Sequence, residues 1–137
     1  MGAAAAVDFM ASLCAEGGPR RARLARACDA LHERGDELIA RLWHGLAAIR
    51  GAKLYGPAPG SARTATLSFS LAQRSPEQVA VALAARAVFV SHGDFYATTV
   101  ARIYGREQEG FVRAGCAAYT TEAEVERLLE GVRELAA

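Results

Sequence analysis

Two short stretches of this chain carry side chains able to do chemistry. The first is Ser91-His92-Gly93-Asp94-Phe95-Tyr96. It is expected to follow a buried strand and precede a short helix, and loops at strand ends are where sites concentrate. His92 and Asp94 could act as an acid–base pair. Equally, His92 could donate to backbone while Asp94 caps the short helix. The second stretch is Phe111-Val112-Arg113-Ala114-Gly115. Strand alternation puts Arg113 on the face shared with Phe111 and Gly115, opposite Val112 and Ala114. A guanidinium within an apolar strand is costly unless something pairs with it. Two partners would serve. One is a ligand carboxylate held bidentately, with Gly115 leaving room for it. The other is a glutamate of the last helix, in a structural ion pair.

The remaining reactive residues are sparse. Lys53 is the single lysine against fifteen arginines. Arginine stays protonated and forms no Schiff base, so lysine chemistry falls to Lys53 or the terminal amine. The surroundings Gly51-Ala52-Lys53-Leu54-Tyr55 offer neither burial nor neighbouring cations to free that amine. Cys14, Cys28 and Cys116 form no CxxC, which argues against a zinc site or a disulfide framework and for free buried thiols in a reducing compartment. His32 and His44 fall on a long helix, facing solvent or lining its stripe. No GxGxxG, P-loop or nucleophile elbow occurs, and no metal ligand set is expected.

These residues must be positioned by elements that the periodicities predict. Gly2 to Cys14 reads as a helix with Val7, Met10, Ala11 and Cys14 on one face, stopped by Glu16-Gly17-Gly18-Pro19. It lacks a positive leader region and contains Asp8, so it is not read as a secretion signal, and it is too short to span a membrane. A long helix over 21–49 follows, its stripe formed by Leu24, Cys28, Leu31, Leu38, Leu42, Leu46 and Ile49. Gly35 weakens its middle, and Gly51 is a stop signal. Residues 52–55 form a short strand, and a turn-rich loop leads to a strand over 64–70. There Ala65, Leu67 and Phe69 face the core and Thr64, Thr66, Ser68 and Ser70 face away. Ser75-Pro76-Glu77-Gln78 is a capping box opening a helix to about residue 86. A buried strand is expected at 87–90, joined through that helix by a right-handed crossover. A short helix over 96–104, a strand over 110–116 and a final helix opened by the capping box Thr121-Glu122-Ala123-Glu124 complete the chain. The final helix turns Val125, Leu128, Leu129, Val132 and Leu135 to the core. The class is α/β, an α+β sandwich: a small mixed sheet with helices packed on it, preceded by a long helical arm.

Composition narrows the function classes. With 137 residues, 52 % apolar and 23 % charged, the chain suits one globular domain. The net charge of +1 provides no broad field for nucleic acid or an acidic membrane. The one local excess, Arg20, Arg21, Arg23 and Arg26, reads as the solvated first turns of the long helix.

The ordered segments Lys53-Leu54-Tyr55-Gly56-Pro57, Arg63-Thr64-Ala65-Thr66-Leu67-Ser68-Phe69, Gly93-Asp94-Phe95-Tyr96-Ala97, Val112-Arg113-Ala114-Gly115 and Tyr119-Thr120-Thr121-Glu122-Ala123-Glu124-Val125 resemble a known family. Together they are similar to the C-terminal small domain of class V aminotransferases, fold type I pyridoxal-phosphate enzymes, nearest the cysteine desulfurase-like branch. The resemblance is fullest from Leu31 to Ala136. It implies that residues 1–18 correspond to the end of a large domain and 19–137 to the small domain. It implies that Arg113 holds the substrate α-carboxylate, and that the loop His92, Gly93, Asp94, Phe95 and Tyr96 borders the site. Tyr96 stands where a desulfurase has its catalytic cysteine, and tyrosine cannot take up sulfur as a thiolate does. Lys53 matches none of the family's cofactor residues. The resemblance thus implies a chain that binds no pyridoxal phosphate alone, located in the cytoplasm, that meets a large cofactor-binding domain on another chain or self-associates. The alternative is a non-catalytic, self-associating module derived from that fold.

Overall fold

The computed structural model describes residues 2–14 and 17–137. Glu16, part of the expected stop to the first helix, lies outside the described residues. The elements are α1 (Gly2–Ser12), α2 (Arg20–Ala47), β1 (Ala52–Tyr55), β2 (Thr66–Leu71), α3 (Pro76–Ala84), β3 (Ser91–Gly93), α4 (Thr98–Ile103), β4 (Phe111–Gly115) and α5 (Glu122–Ala136). The sheet order is β1-β2-β4-β3, and each neighbouring pair is antiparallel. The expected mixed sheet therefore resolves into antiparallel ladders. β2 and β3 do run parallel, as a helical crossover requires, but β4 lies between them.

One face of the sheet carries the main core. Leu67, Phe69, Val112 and Ala114 pack there against Leu38, Leu42 and Leu46 of α2, Val79 and Leu83 of α3, and Val125, Leu129 and Val132 of α5. Both capping boxes are formed. Ser75 Oγ accepts from Gln78 N while Gln78 Oε1 accepts from Ser75 N, and Thr121 and Glu124 reciprocate in the same way. These bonds satisfy amides that the first turns of α3 and α5 would otherwise leave bare. Gly35 sits where an added Cβ would lie 3.0 Å from the Ala65 Cβ, so its cost within the helix accompanies a close approach of α2 to the segment leading into β2.

Four expectations are corrected. Residues 87–90 form no strand: Val88 is buried, Ala87 has φ 58°, Phe89 is exposed, and the strand lies at Ser91–Gly93. Cys28 is exposed, so the thiols are not all buried; Ala27 is buried in its place. Val7 is exposed instead of packing with Met10 and Ala11. The arginine run does more than face solvent. Arg20 pairs with Asp8 at 3.2 Å, and Arg26 donates to Cys14 Sγ and the Gly17 carbonyl, tying α1 to α2. No helix among the described residues is long and apolar enough to cross a membrane.

Candidate functional site

The second face of the sheet positions the candidate residues. The ladder register sets Tyr55, Ser68, Arg113 and Ser91 side by side, one from each of β1, β2, β4 and β3. Directly paired residues share a face, so Arg113 is the centre of a row spanning the sheet. Arg113 is exposed, whereas Val112 and Ala114 are buried on the core side, as alternation predicts.

An aromatic cluster covers the Tyr55 end of this face. Tyr55, Tyr104 and Phe111 meet edge to face, with centroids 4.7–6.3 Å apart, and Ala101 of α4 closes over them. Tyr55 Oη and Ser70 Oγ share a buried hydrogen bond of 2.9 Å. Phe95 packs against the edge of this cluster. Its ring supports Arg113, whose guanidinium carbon lies 3.9 Å from the ring centroid. Beyond Arg113 the face opens into a cleft of about 570 Å³ lined by Thr64, Thr66, Phe89, Ser91 and Gly115. The glycine keeps that side of the guanidinium unobstructed.

The loop before α4 is shaped by Asp94. Its Oδ1 accepts from Tyr96 N at 3.2 Å and its carbonyl from Ala97 N at 2.9 Å. The carboxylate therefore fastens the turn and does not cap α4, whose N-cap position is Ala97. Phe95 and Tyr96 are both left-handed, with φ 55° and 60°, a conformation that costs non-glycine residues energy and recurs at functional sites. Tyr96 is fully exposed at 102 %.

Of the sequence candidates, the structure brings Arg113 and Phe95 together. His92 pairs in register with Val112, on the opposite face from Arg113, and no ion pair joins it to Asp94 among the described residues. The alternative ion pair of Arg113 with the last helix is not formed, since α5 packs on the core side. Sequence reasoning missed the role of Phe95 and the hydroxyls of Thr64, Thr66 and Ser91. The alternation of β2 already placed both threonines on the solvent-side face, but the register that brings them beside Arg113 is non-local.

The other reactive groups lie elsewhere. Lys53 is exposed, its Nζ 5.4 Å from the Tyr55 ring centroid. Glu109, the one carboxylate lining the same cleft as Lys53, is paired with Arg106 at 2.8 Å. Cys116 is half-buried beside the core; burial pushes its thiol pKa up, and Arg34 offsets this in part. That shift lowers the thiolate fraction and makes it a poor nucleophile. Among the described residues no group of three or more His, Cys, Asp or Glu side chains is placed to hold a metal ion.

A two-layer α/β domain with an arginine presented on its open sheet face belongs to a recognisable class. The sequence profile of the class-V aminotransferases matches residues 25–128, and the chain belongs to that family. In structure it is similar to the apo cysteine desulfurase from Thermococcus onnurineus, with 26 % identity and TM-score 0.76 over 85 % of this chain and 28 % of that one. It also resembles the cysteine desulfurase CsdA from Escherichia coli (20 % identity, TM-score 0.68, 88 % of this chain and 31 % of that one). A variant of C-DES with glycine covalently linked to its PLP cofactor shares the fold at 17 % identity and TM-score 0.60, over 85 % of this chain and 29 % of that one. The chain thus spans 28 to 31 % of the length of these structures. Comparison with functionally characterised sequences gives no match.

Proposed function

We propose that the chain is the small domain of a pyridoxal-phosphate-dependent, cysteine desulfurase-like enzyme, and that Arg113 receives the α-carboxylate of an amino-acid substrate. The observation that carries this reading is the state of Arg113. It rests on Phe95, meets no carboxylate among the described residues, and faces an open, hydroxyl-lined cleft. A guanidinium fixed in one plane loses little freedom on binding a carboxylate bidentately. Tyr96, at the position of the desulfurase cysteine, offers no thiolate, so the reading favours chemistry other than persulfide transfer.

The residues present do not fit the cofactor by themselves. Lys53 is exposed, stands two strands away from Arg113, and shares its cleft only with a carboxylate already paired to Arg106. The site is therefore completed by a large cofactor-bearing domain, and the chain alone is inactive. Its three cysteines, none in a disulfide, suit the cytoplasm. The test is to incubate the chain with equimolar pyridoxal phosphate, reduce with borohydride, and locate any pyridoxyl group by peptide mass in wild type and Lys53→Ala. Absence of stoichiometric label at Lys53 is expected. Stoichiometric, Lys53-dependent label would make the chain self-sufficient and overturn the proposal.

One observation favours the second reading, a self-associating module. Phe9, Met10, Leu13, Leu31 and Tyr119 line an apolar cleft of about 520 Å³, and Phe9 and Tyr119 are 63 % and 88 % exposed. Apolar surface of this kind marks an interface. Sedimentation equilibrium decides the point: a dimer abolished by Phe9→Asp supports self-association, and a monomer rejects it.

A further inference from the structure

A second cleft, of about 460 Å³, lies at the far end of the open sheet face from Arg113, and the proposed function does not use it. Three cations line it: Lys53 from β1, Arg74 from the turn after β2, and Arg106 from the segment after α4. Arg106 is largely buried, its side chain 18 % exposed, and is held in place. Its Nε donates to the Gly110 carbonyl at 2.7 Å and its Nη2 to Glu109 at 2.8 Å. That pair is neutral overall. Lys53 and Arg74 remain, and among the described residues neither meets a carboxylate within ion-pair distance. The hydroxyls lining the cleft are already engaged, Ser70 with Tyr55 and Ser75 with Gln78. Apart from the Gln73 amide, the side-chain donors left for a ligand are cationic.

We infer that this cleft is a binding site for a phosphate dianion, either inorganic phosphate or a small phosphate monoester. Two unpaired cations match the roughly 1.5 to 2 negative charges such a group carries at neutral pH. Their backbones are held, Lys53 by its ladder to Ser70 and Arg74 by its bridge to Leu71, so binding need order only their side chains. A guanidinium and an ammonium lining one cleft supply both a planar fork and a point charge, which suit phosphate oxygens. The cleft exceeds a bare phosphate in size, which leaves space for a small organic substituent. The site shares Lys53 with the cofactor test, and Arg74, which that test does not involve, keeps the two conclusions separable.

The experiment is isothermal titration of the whole chain with inorganic phosphate at low salt. Saturable binding at one site is expected, weakened by added chloride. Lys53→Ala and Arg74→Ala should each weaken it about tenfold, while Arg21→Ala, an exposed arginine of α2, leaves it unchanged. Circular dichroism confirms that the variants fold. Glycerol phosphate then separates the sources: tighter binding than inorganic phosphate identifies a monoester ligand, and equal binding identifies free phosphate. No saturable binding, or equal binding by wild type and both cleft variants, would overturn the assignment.

Discussion

The guanidinium carbon of Arg113 lies 3.9 Å from the centre of the Phe95 ring, and Phe95 holds that place with a left-handed backbone. The turn that Asp94 fastens thus carries the aromatic platform beneath the arginine. This contact is measurable without any substrate. Arg113→Ala loses that contact and should cost about 0.5–1 kcal/mol. Phe95→Ala loses packing against the aromatic cluster as well and should cost more. The double-mutant cycle in urea should give a coupling of about 0.5–1 kcal/mol. A coupling indistinguishable from zero would mean that Phe95 does not hold Arg113 in solution.

Tyr55 and Ser70 make the buried polar contact of the same face, with Ser70 only 7 % exposed. Tyr55→Phe keeps the ring and its edge contacts but leaves the Ser70 hydroxyl without this partner. An orphaned buried hydroxyl costs about 1–3 kcal/mol. Urea unfolding should show a loss in that range, and Tyr55→Phe combined with Ser70→Ala should recover part of it. If the double variant is less stable than the single one, Ser70 contributes something other than this bond.

Much of the fold was legible because its signals are local. Both capping boxes lie within four residues, and the alternation of β2 and β4 fixed their buried faces before any pairing was known. The apolar run at 87–90 suits a strand by composition, but only pairing with β4 decides where β3 lies, and that partner is some twenty residues away. Cys28 falls in the stripe of the long helix by its spacing, yet it is exposed and Ala27 is buried. Ala27 lines the cleft that Phe9, Met10 and Leu13 also border. At the site, the side of the strand that Arg113 occupies was readable. Its support was not, since the left-handed conformation of Phe95 and Tyr96 is written in no residue type; it is imposed by the turn around Asp94.

Gly110 fixes the junction between the site loop and the sheet. Its φ is 69°, and an added Cβ would stand 2.2 Å from the Gly93 carbonyl carbon. The obstacle is backbone in the β3–β4 pairing, which cannot rotate aside. Gly110→Ala should therefore cost more than about 2 kcal/mol, combining positive-φ strain with displacement of β3. Amide exchange should accelerate first at Ser91 to Gly93. A variant as stable as wild type would show that β3 shifts freely on β4.

Glu124 gives the fold a dependence on acid. Its pKa is lowered from the ordinary 4.5, first by the hydrogen bond from the Thr121 backbone and then by that from the Thr121 side chain. A carboxyl whose folded pKa is depressed contributes stability that is present above its unfolded pKa and lost as pH falls through the folded one. Glu124→Gln keeps the capping geometry, as Gln78 does at Ser75, but removes the titration. Wild type should therefore exceed Glu124→Gln in urea midpoint at neutral pH, and the difference should close as pH falls below 4.5. A difference that stays constant over that range would show that the charge of Glu124 adds nothing to the cap beyond its hydrogen bonds.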